Sequence, residues 1–368
     1  MTNHEFYMEL ALKNAKAMKG QTDPNPLVGA VIVNDNRVVG IGAHLKAGEP
    51  HAEIHAIRMA GEAAKGGTIY VTLEPCSHYG RTGPCAVAIV EAGIERVVIA
   101  TLDPNPVVSG NGVNILKDAG IEVTIGVHQE ESQRMNEVFN KFIVEKKPFV
   151  TLKSGITLDG KIATYASNSK WITSEESRND VHHLRNENMA ILVGVNTVIK
   201  DNPELTARIP NGRNPIRVIL DSTLKIPLES KVITDNLAET WIFTSRNYDQ
   251  EKEKTLKSLG IKVFATNGLE KVDPEEVVQI LGENLVSSVL IEGGGSINAA
   301  FLEKKCIDKV ILYFAPKLIG GKDAPTFLEG AGIEKMADAV DLIETSIIKI
   351  GKDFKFIGYP SYSKEGIL

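Results

Sequence analysis

Three cysteines in 368 residues are too few for a disulfide scaffold, and no apolar run approaches the roughly 20 residues that a membrane-crossing helix needs. A surplus of positive charge is also missing. The net charge is −6, which argues against a broad surface for a phosphate backbone while leaving room for a local basic pocket. Internal repeats and low-complexity segments are absent, as is the dinucleotide fingerprint G-x-G-x-x-G in its proper setting. The first residues, Met1-Thr-Asn-His-Glu-Phe-Tyr, show no signal-peptide pattern, so a cytoplasmic location is expected. Hydrophobic and charged contents of 43% and 24% are those of an ordinary globular protein, long enough for two domains with sizeable cores.

The strongest positive signal is His51-Ala-Glu53, followed by Pro75-Cys76 and then Cys85. One imidazole and two thiolates fill three corners of a tetrahedral zinc site and leave the fourth for water. Zinc lowers the pKa of bound water from about 16 to about 7. Glu53, two residues past His51, suits a proton carrier better than a second ligand. H-x-E with P-C-x-x-C marks zinc nucleobase deaminases, although here eight residues rather than two separate the cysteines.

Other readings of these residues carry less. A Cys76–Cys85 disulfide conflicts with the expected reducing compartment. His51 and His55 share a helical face, but the metalloprotease pattern requires Glu directly after the first His, so His55 is expected to be a packed or outer histidine. Cys306 is expected to be a small buried apolar residue.

Hydrophobic spacing predicts a helix over 5–19, a hairpin of strands 27–33 and 38–43, a helix over 53–64, a strand over 68–73, a helix from Cys85 to 92, a strand over 96–100 and one long helix over 129–146. This predicts a mixed sheet between helices, with Cys85 near a helix start that favours a thiolate. Glu145-Lys-Lys-Pro148 marks a domain boundary. Beyond it, strands are predicted at 149–153, 190–193, 216–220, 240–244 and 286–291, and helices at 174–185, 274–282 and 296–304. The glycines at 293–295 lie between a strand and a helix, where backbone amides can cradle a phosphate or simply make a tight turn.

Six motifs occur in order along nearly the whole chain: His-Ala-Glu at 51–53, Glu-Pro-Cys-Ser-His-Tyr-Gly-Arg-Thr-Gly-Pro-Cys at 74–85, Asp-Pro-Asn-Pro at 103–106, Thr-Leu-Asp-Gly-Lys-Ile-Ala at 157–163, Lys-Trp-Ile-Thr-Ser at 170–174 and Ala-Pro-Lys-Leu-Ile-Gly-Gly at 315–321. Together they closely resemble the RibD family of bifunctional riboflavin-biosynthesis deaminase/reductases. The resemblance implies an α/β chain with a cytidine-deaminase-like three-layer α/β/α domain over 1–146 and a dihydrofolate-reductase-like α/β domain over 147–368. The first would be a zinc-dependent pyrimidine deaminase acting on 2,5-diamino-6-ribosylamino-4(3H)-pyrimidinone 5′-phosphate. The second would be an NADPH-dependent reductase converting the ribosyl group to ribityl.

By the same resemblance, His51, Cys76 and Cys85 hold zinc and Glu53 is catalytic, while Asn25, His44, His78 and Arg81 surround the pyrimidine. NADPH is expected against Gly155, Trp171, Thr197, Asp201, Ser222 and the run Gly294, Gly295, Ser296, Ile297, Asn298, Ala299 and Ala300. Substrate contacts are expected at Ser169, Arg185, Leu205, Arg208 and Glu292, with Arg185 and Arg208 suited to clamp a phosphate. Gly83 departs from the family's usual proline without removing a chemical group. The partner is expected to be a small phosphorylated pyrimidine, with no nucleic acid and no membrane, and the chain is expected to form a homo-oligomer. The alternative is a zinc deaminase of another nucleobase or nucleotide with a regulatory C-terminal domain.

Overall fold

A computed structural model of the chain describes residues 3–78, 83–106 and 108–362. It divides into two compact units, Met1–Lys146 and Lys147–Leu368. No helix among the described residues is long and apolar enough to cross a membrane.

The first unit runs α1 (Asn3–Lys16), β1 (Gly29–Asn34), β2 (Arg37–Ala43), α2 (Ala52–Ala60), β3 (Thr68–Leu73), α3 (Cys85–Glu91), β4 (Arg96–Thr101), α4 (Asn111–Asp118), β5 (Glu122–Ile125), α5 (Gln129–Met135) and α6 (Glu137–Glu145). Its sheet has the order β2-β1-β3-β4-β5, antiparallel around β1 and parallel from β3 to β5. Side chains alternate across the sheet, as strand geometry dictates. Ala30 and Ile32 meet Ala52 and Ala56 of α2, Ile89 of α3 and Leu116 of α4, whereas Val31 and Val33 meet Met8 and Leu12 of α1. The result is the expected three-layer α/β/α arrangement. The β1–β2 hairpin closes on Asp35 and Asn36, whose φ values of 48° and 59° suit short polar side chains in a two-residue turn.

The long helix expected over 129–146 is two helices. Between them the side chain of Asn136 accepts from the Leu27 N–H at 2.8 Å and donates to the Leu27 carbonyl at 2.9 Å, tying the break to the strand entry. The helix expected over 53–64 likewise ends at Ala60, where Gly61 takes φ 53° and a 3₁₀ turn, Gly61–Ala64, follows.

The second unit runs β6 (Phe149–Thr157), α7 (Glu175–Glu187), β7 (Ala190–Gly194), α8 (Val195–Asp201), β8 (Ile216–Leu220), α9 (Lys231–Thr234), β9 (Thr240–Thr244), α10 (Gln250–Ser258), β10 (Lys262–Ala265), α11 (Pro274–Glu283), β11 (Ser288–Ile291), α12 (Gly295–Glu303), β12 (Lys309–Ala315), β13 (Asp341–Ile350) and β14 (Asp353–Ser361). The sheet order is β10-β9-β8-β7-β11-β6-β12-β14-β13, parallel from β10 to β12 and antiparallel over the last hairpin. Leu152, Leu192, Val218, Phe243 and Ile291 pack on one face with Leu281 of α11 and Phe301 of α12. The opposite face carries Ile191, Val193 and Ile242 against Val198 of α8 and Leu256 of α10, and Leu290 and Ile311 against Leu184 of α7. Because β11 returns between β7 and β6, the strand order reverses there. In open α/β sheets the crevice at the carboxyl ends of such strands is where ligands bind.

Candidate active sites

Two helix starts converge in the first unit. His51 caps the amino end of α2, Cys85 is the first residue of α3, and Cys76 follows β3. The three ligand atoms lie within 4.8 Å of one another. His51 Nδ1 is 3.3 Å from Cys85 Sγ and 3.6 Å from Cys76 Sγ, and the Cys85 N–H donates to Cys76 Sγ at 3.3 Å. A second bond, from the Cys85 side chain, lowers Cys76 to about 4, against the opposing effect of burial. That side-chain bond, joined by burial, pushes Cys85 up. The bond from Cys76 raises His51, again against burial.

Glu53 sits in the first turn of α2, 3% exposed, and its Oε2 has no hydrogen-bond partner among the described residues. Burial raises it to about 7, with His51, Cys76 and Cys85 close enough to contribute. Two sulfurs, one imidazole nitrogen and a buried carboxylate beside them with one oxygen unpartnered fit zinc with an open fourth position.

Asn25 and His44 lie next to this group. Asn25 Nδ2 is 3.1 Å from His44 Nε2, His44 Nδ1 is 3.3 Å from the Pro50 carbonyl oxygen, and the His44 and His51 rings meet edge-on with centroids 5.3 Å apart. Both bonds are satisfied by a neutral ring with its proton on Nδ1. Burial lowers the pKa of His44 in agreement, outweighing the opposing bond to Pro50. His78 is exposed, and Arg81 lies outside the described residues.

A residue that sequence reasoning missed is Glu74, one position before Pro75-Cys76. Its buried carboxylate accepts the N–H groups of Asp103 at 3.2 Å, Gly110 at 3.0 Å, Gly112 at 2.9 Å and Val113 at 3.3 Å, capping α4 from the strand that leads to the metal loop. A Cβ at Gly112 would run into the Pro75 carbonyl oxygen, so the two segments touch directly.

In the second unit, residues singled out from sequence gather after the parallel strands. Thr197 and Asp201 are on α8, directly after β7, Ser222 follows β8, and Gly294 caps α12 after β11. Ser296, Ile297, Asn298, Ala299 and Ala300 form the first turns of α12. Gly155 lies on β6, where a Cβ would meet Thr173 at 3.4 Å. Ser222 Oγ accepts from the Val272 N–H at 3.2 Å. Trp171, 63% exposed, has the Arg178 guanidinium 4.4 Å over its ring, and Ser169 lies two positions before it in the same loop.

Glu292, directly after β11, binds Arg185 of α7 through a two-pronged pair at 2.7 and 3.1 Å and Lys153 of β6 at 3.1 Å. Burial opposes its ionisation, but the two cations outweigh burial and hold Glu292 far below the usual carboxylate range. Arg185 also donates from Nη1 to the Thr206 carbonyl oxygen at 3.1 Å, which leaves two of its five N–H groups for other partners. Arg208 is the more open cation: its side chain is 54% exposed and lies 3.7 Å from Glu204. Leu205 is buried with φ 53°. Lys153 and His182 also escaped sequence reading. The Arg208 N–H donates to His182 Nδ1 at 3.4 Å, and burial, followed by Arg185 and Arg208, lowers His182 to about 4. Lys153 left a faint signal as the one charge within the apolar strand β6.

Fold and sites together define a two-unit α/β enzyme, a zinc deaminase of the nucleobase type followed by a reductase. Residues 1–101 match the family described as "Cytidine and deoxycytidylate deaminase zinc-binding region", and residues 148–356 match "RibD C-terminal domain". The riboflavin biosynthesis protein RibD of Bacillus amyloliquefaciens is 48% identical over 363 residues, covering 98% of each chain. Among solved structures, Acinetobacter baumannii RibD, form 1, is similar with a TM-score of 0.87 at 39% identity over 97% of this chain and 99% of that one. The diaminohydroxyphosphoribosylaminopyrimidine deaminase/5-amino-6-(5-phosphoribosylamino)uracil reductase of Thermotoga maritima gives 0.82 at 38% identity over the same shares, 97% and 99%. The chain belongs to the RibD family of riboflavin-biosynthesis proteins.

Proposed function

We propose that the chain catalyses two consecutive steps of riboflavin biosynthesis. The first, assigned to residues 1–146, is hydrolytic deamination of 2,5-diamino-6-ribosylamino-4(3H)-pyrimidinone 5′-phosphate. The second, assigned to residues 147–368, reduces the resulting 5-amino-6-(5-phosphoribosylamino)uracil to the ribitylamino product. The observation that carries the reading is the set of His51, Cys76 and Cys85 around a buried Glu53 whose Oε2 has no partner among the described residues, in one chain with a second α/β unit whose glycine turn lies at the strand crossover.

Zinc, when bound by His51, Cys76 and Cys85, supplies Lewis acidity and lowers the pKa of a water. Glu53, poised near neutrality, takes a proton on Oε2 and returns it to the departing amine, so one water enters and one ammonia leaves. Asn25 and neutral His44 flank the site and orient the ring. NADPH, when bound, supplies the hydride for the second step. Gly294 and the first turn of α12 admit its phosphates, and Arg208 meets the phosphate of the substrate. Glu292, fixed by Arg185 and Lys153, holds the sugar. The three free cysteines support a reducing, cytoplasmic setting.

The test is Glu53→Gln in a two-channel assay. Ammonia release from the diaminopyrimidinone phosphate should fall by about 10²- to 10⁴-fold. NADPH oxidation with the deaminated intermediate should stay within about twofold of wild type, the spread expected for an independent site. Stoichiometric NADPH oxidation with that intermediate also separates this reading from a deaminase with a merely regulatory second unit.

A further inference from the structure

Three glycines open α12, and their surroundings differ. A Cβ at Gly293 would press on Ile297 at 3.0 Å and face Asn298 Oδ1 at 3.3 Å, and one at Gly295 would strike Glu329 Cγ and the Thr326 carbonyl oxygen, both at 2.5 Å. Packing accounts for these two. Gly294 has φ −78° and ψ 173°, which any residue adopts, and nothing lies within 4 Å of its Cβ position. Glycine is common at such an N-cap, and the open space at this one lets a ligand approach the helix start closely. Beside it, Asn298 is fully buried, gives Nδ2 to the Phe327 carbonyl oxygen at 2.7 Å, and leaves Oδ1, turned toward Gly293, without a partner among the described residues, an acceptor for a ligand N–H or O–H.

Residues 326–330 cross this same first turn. The Glu329 N–H donates to the Gly295 carbonyl oxygen at 3.2 Å, and the Ser296 hydroxyl donates to Glu329 Oε2 at 2.8 Å. An exposed carboxylate thus lies against a helix start whose dipole attracts anions. We propose that Glu329 sets the affinity of the nucleotide site: its carboxylate, held at the first turn of α12, opposes a nucleotide phosphate that approaches the open space at Gly294. This rests on the reading of α12 as the nucleotide site. Rivalry of two anions at one helix start is worth about three- to tenfold in affinity and weakens with salt.

Equilibrium titration of NADPH, followed by fluorescence or calorimetry without turnover, tests this on the full chain. Glu329→Gln should bind NADPH about three- to tenfold more tightly at low salt, with a smaller gain at high salt. Gly294→Asp, which has room for its side chain, should bind at least about tenfold more weakly, because it fixes a carboxylate in the open space. Unchanged or weaker binding by Glu329→Gln alongside the Gly294→Asp loss would overturn the role of Glu329 alone, as would a gain undiminished by salt. No effect of Gly294→Asp would overturn the nucleotide site itself.

Discussion

Glu53 and Glu292 are both buried carboxylates, and their neighbours drive them in opposite directions. Burial raises Glu53 to about 7, where it can carry a proton, whereas two cations overcome burial to keep Glu292 ionised. A depressed carboxylate stabilises the fold above its unfolded pKa of about 4.3, and this contribution is lost as pH falls below that value toward the folded one. Both tryptophans, Trp171 and Trp241, belong to the second unit, so their fluorescence follows its unfolding alone. The urea midpoint of wild type over that of Glu292→Gln should therefore shrink between pH 6 and pH 3; a constant gap would contradict the pairing. Arg185→Met should cost about 3–5 kcal/mol at pH 7, because it leaves a buried charge with one partner fewer. His51, Glu53, Cys76 and Cys85 were legible in sequence because their spacing carries the chemistry. Glu74 and Lys153 were not: their partners Gly112 and Glu292 lie 38 and 139 positions away, and only the fold joins them.

Helix α2 delivers His51 and Glu53 together, and its place is set by its contact with β2. A Cβ at Gly42 would run into the Ala52 carbonyl oxygen and lie 2.7 Å from the Ala56 nitrogen. Gly42→Val should therefore displace the start of α2 and raise the zinc dissociation constant by at least about tenfold, measured by chelator competition. Unchanged zinc affinity would mean that α2 does not govern the ligand geometry. Strands such as β3, β8 and β9 matched their apolar runs because burial on both faces leaves continuous hydrophobic sequence. The C-terminal hairpin escaped because β13 is exposed along almost its whole length and shows no alternation. The split at Asn136 escaped because the residue that interrupts the helix does so through a bond to Leu27, 109 positions earlier.

At the scale of the molecule, each unit has its own sheet and its own cores, and each carries a different chemistry. The charged, proline-closed stretch at 145–148 contains the point, between Lys146 and Lys147, where the chain divides into its two units. The central claim is that one chain performs two reactions and needs zinc for only the first. The most direct measurement strips zinc with a chelator and follows ammonia and NADPH separately on each substrate. Ammonia release from the diaminopyrimidinone phosphate should stop and return when zinc is restored, while NADPH oxidation with the deaminated intermediate continues at its full rate; loss of that oxidation on zinc removal, from a protein still folded, would contradict the account.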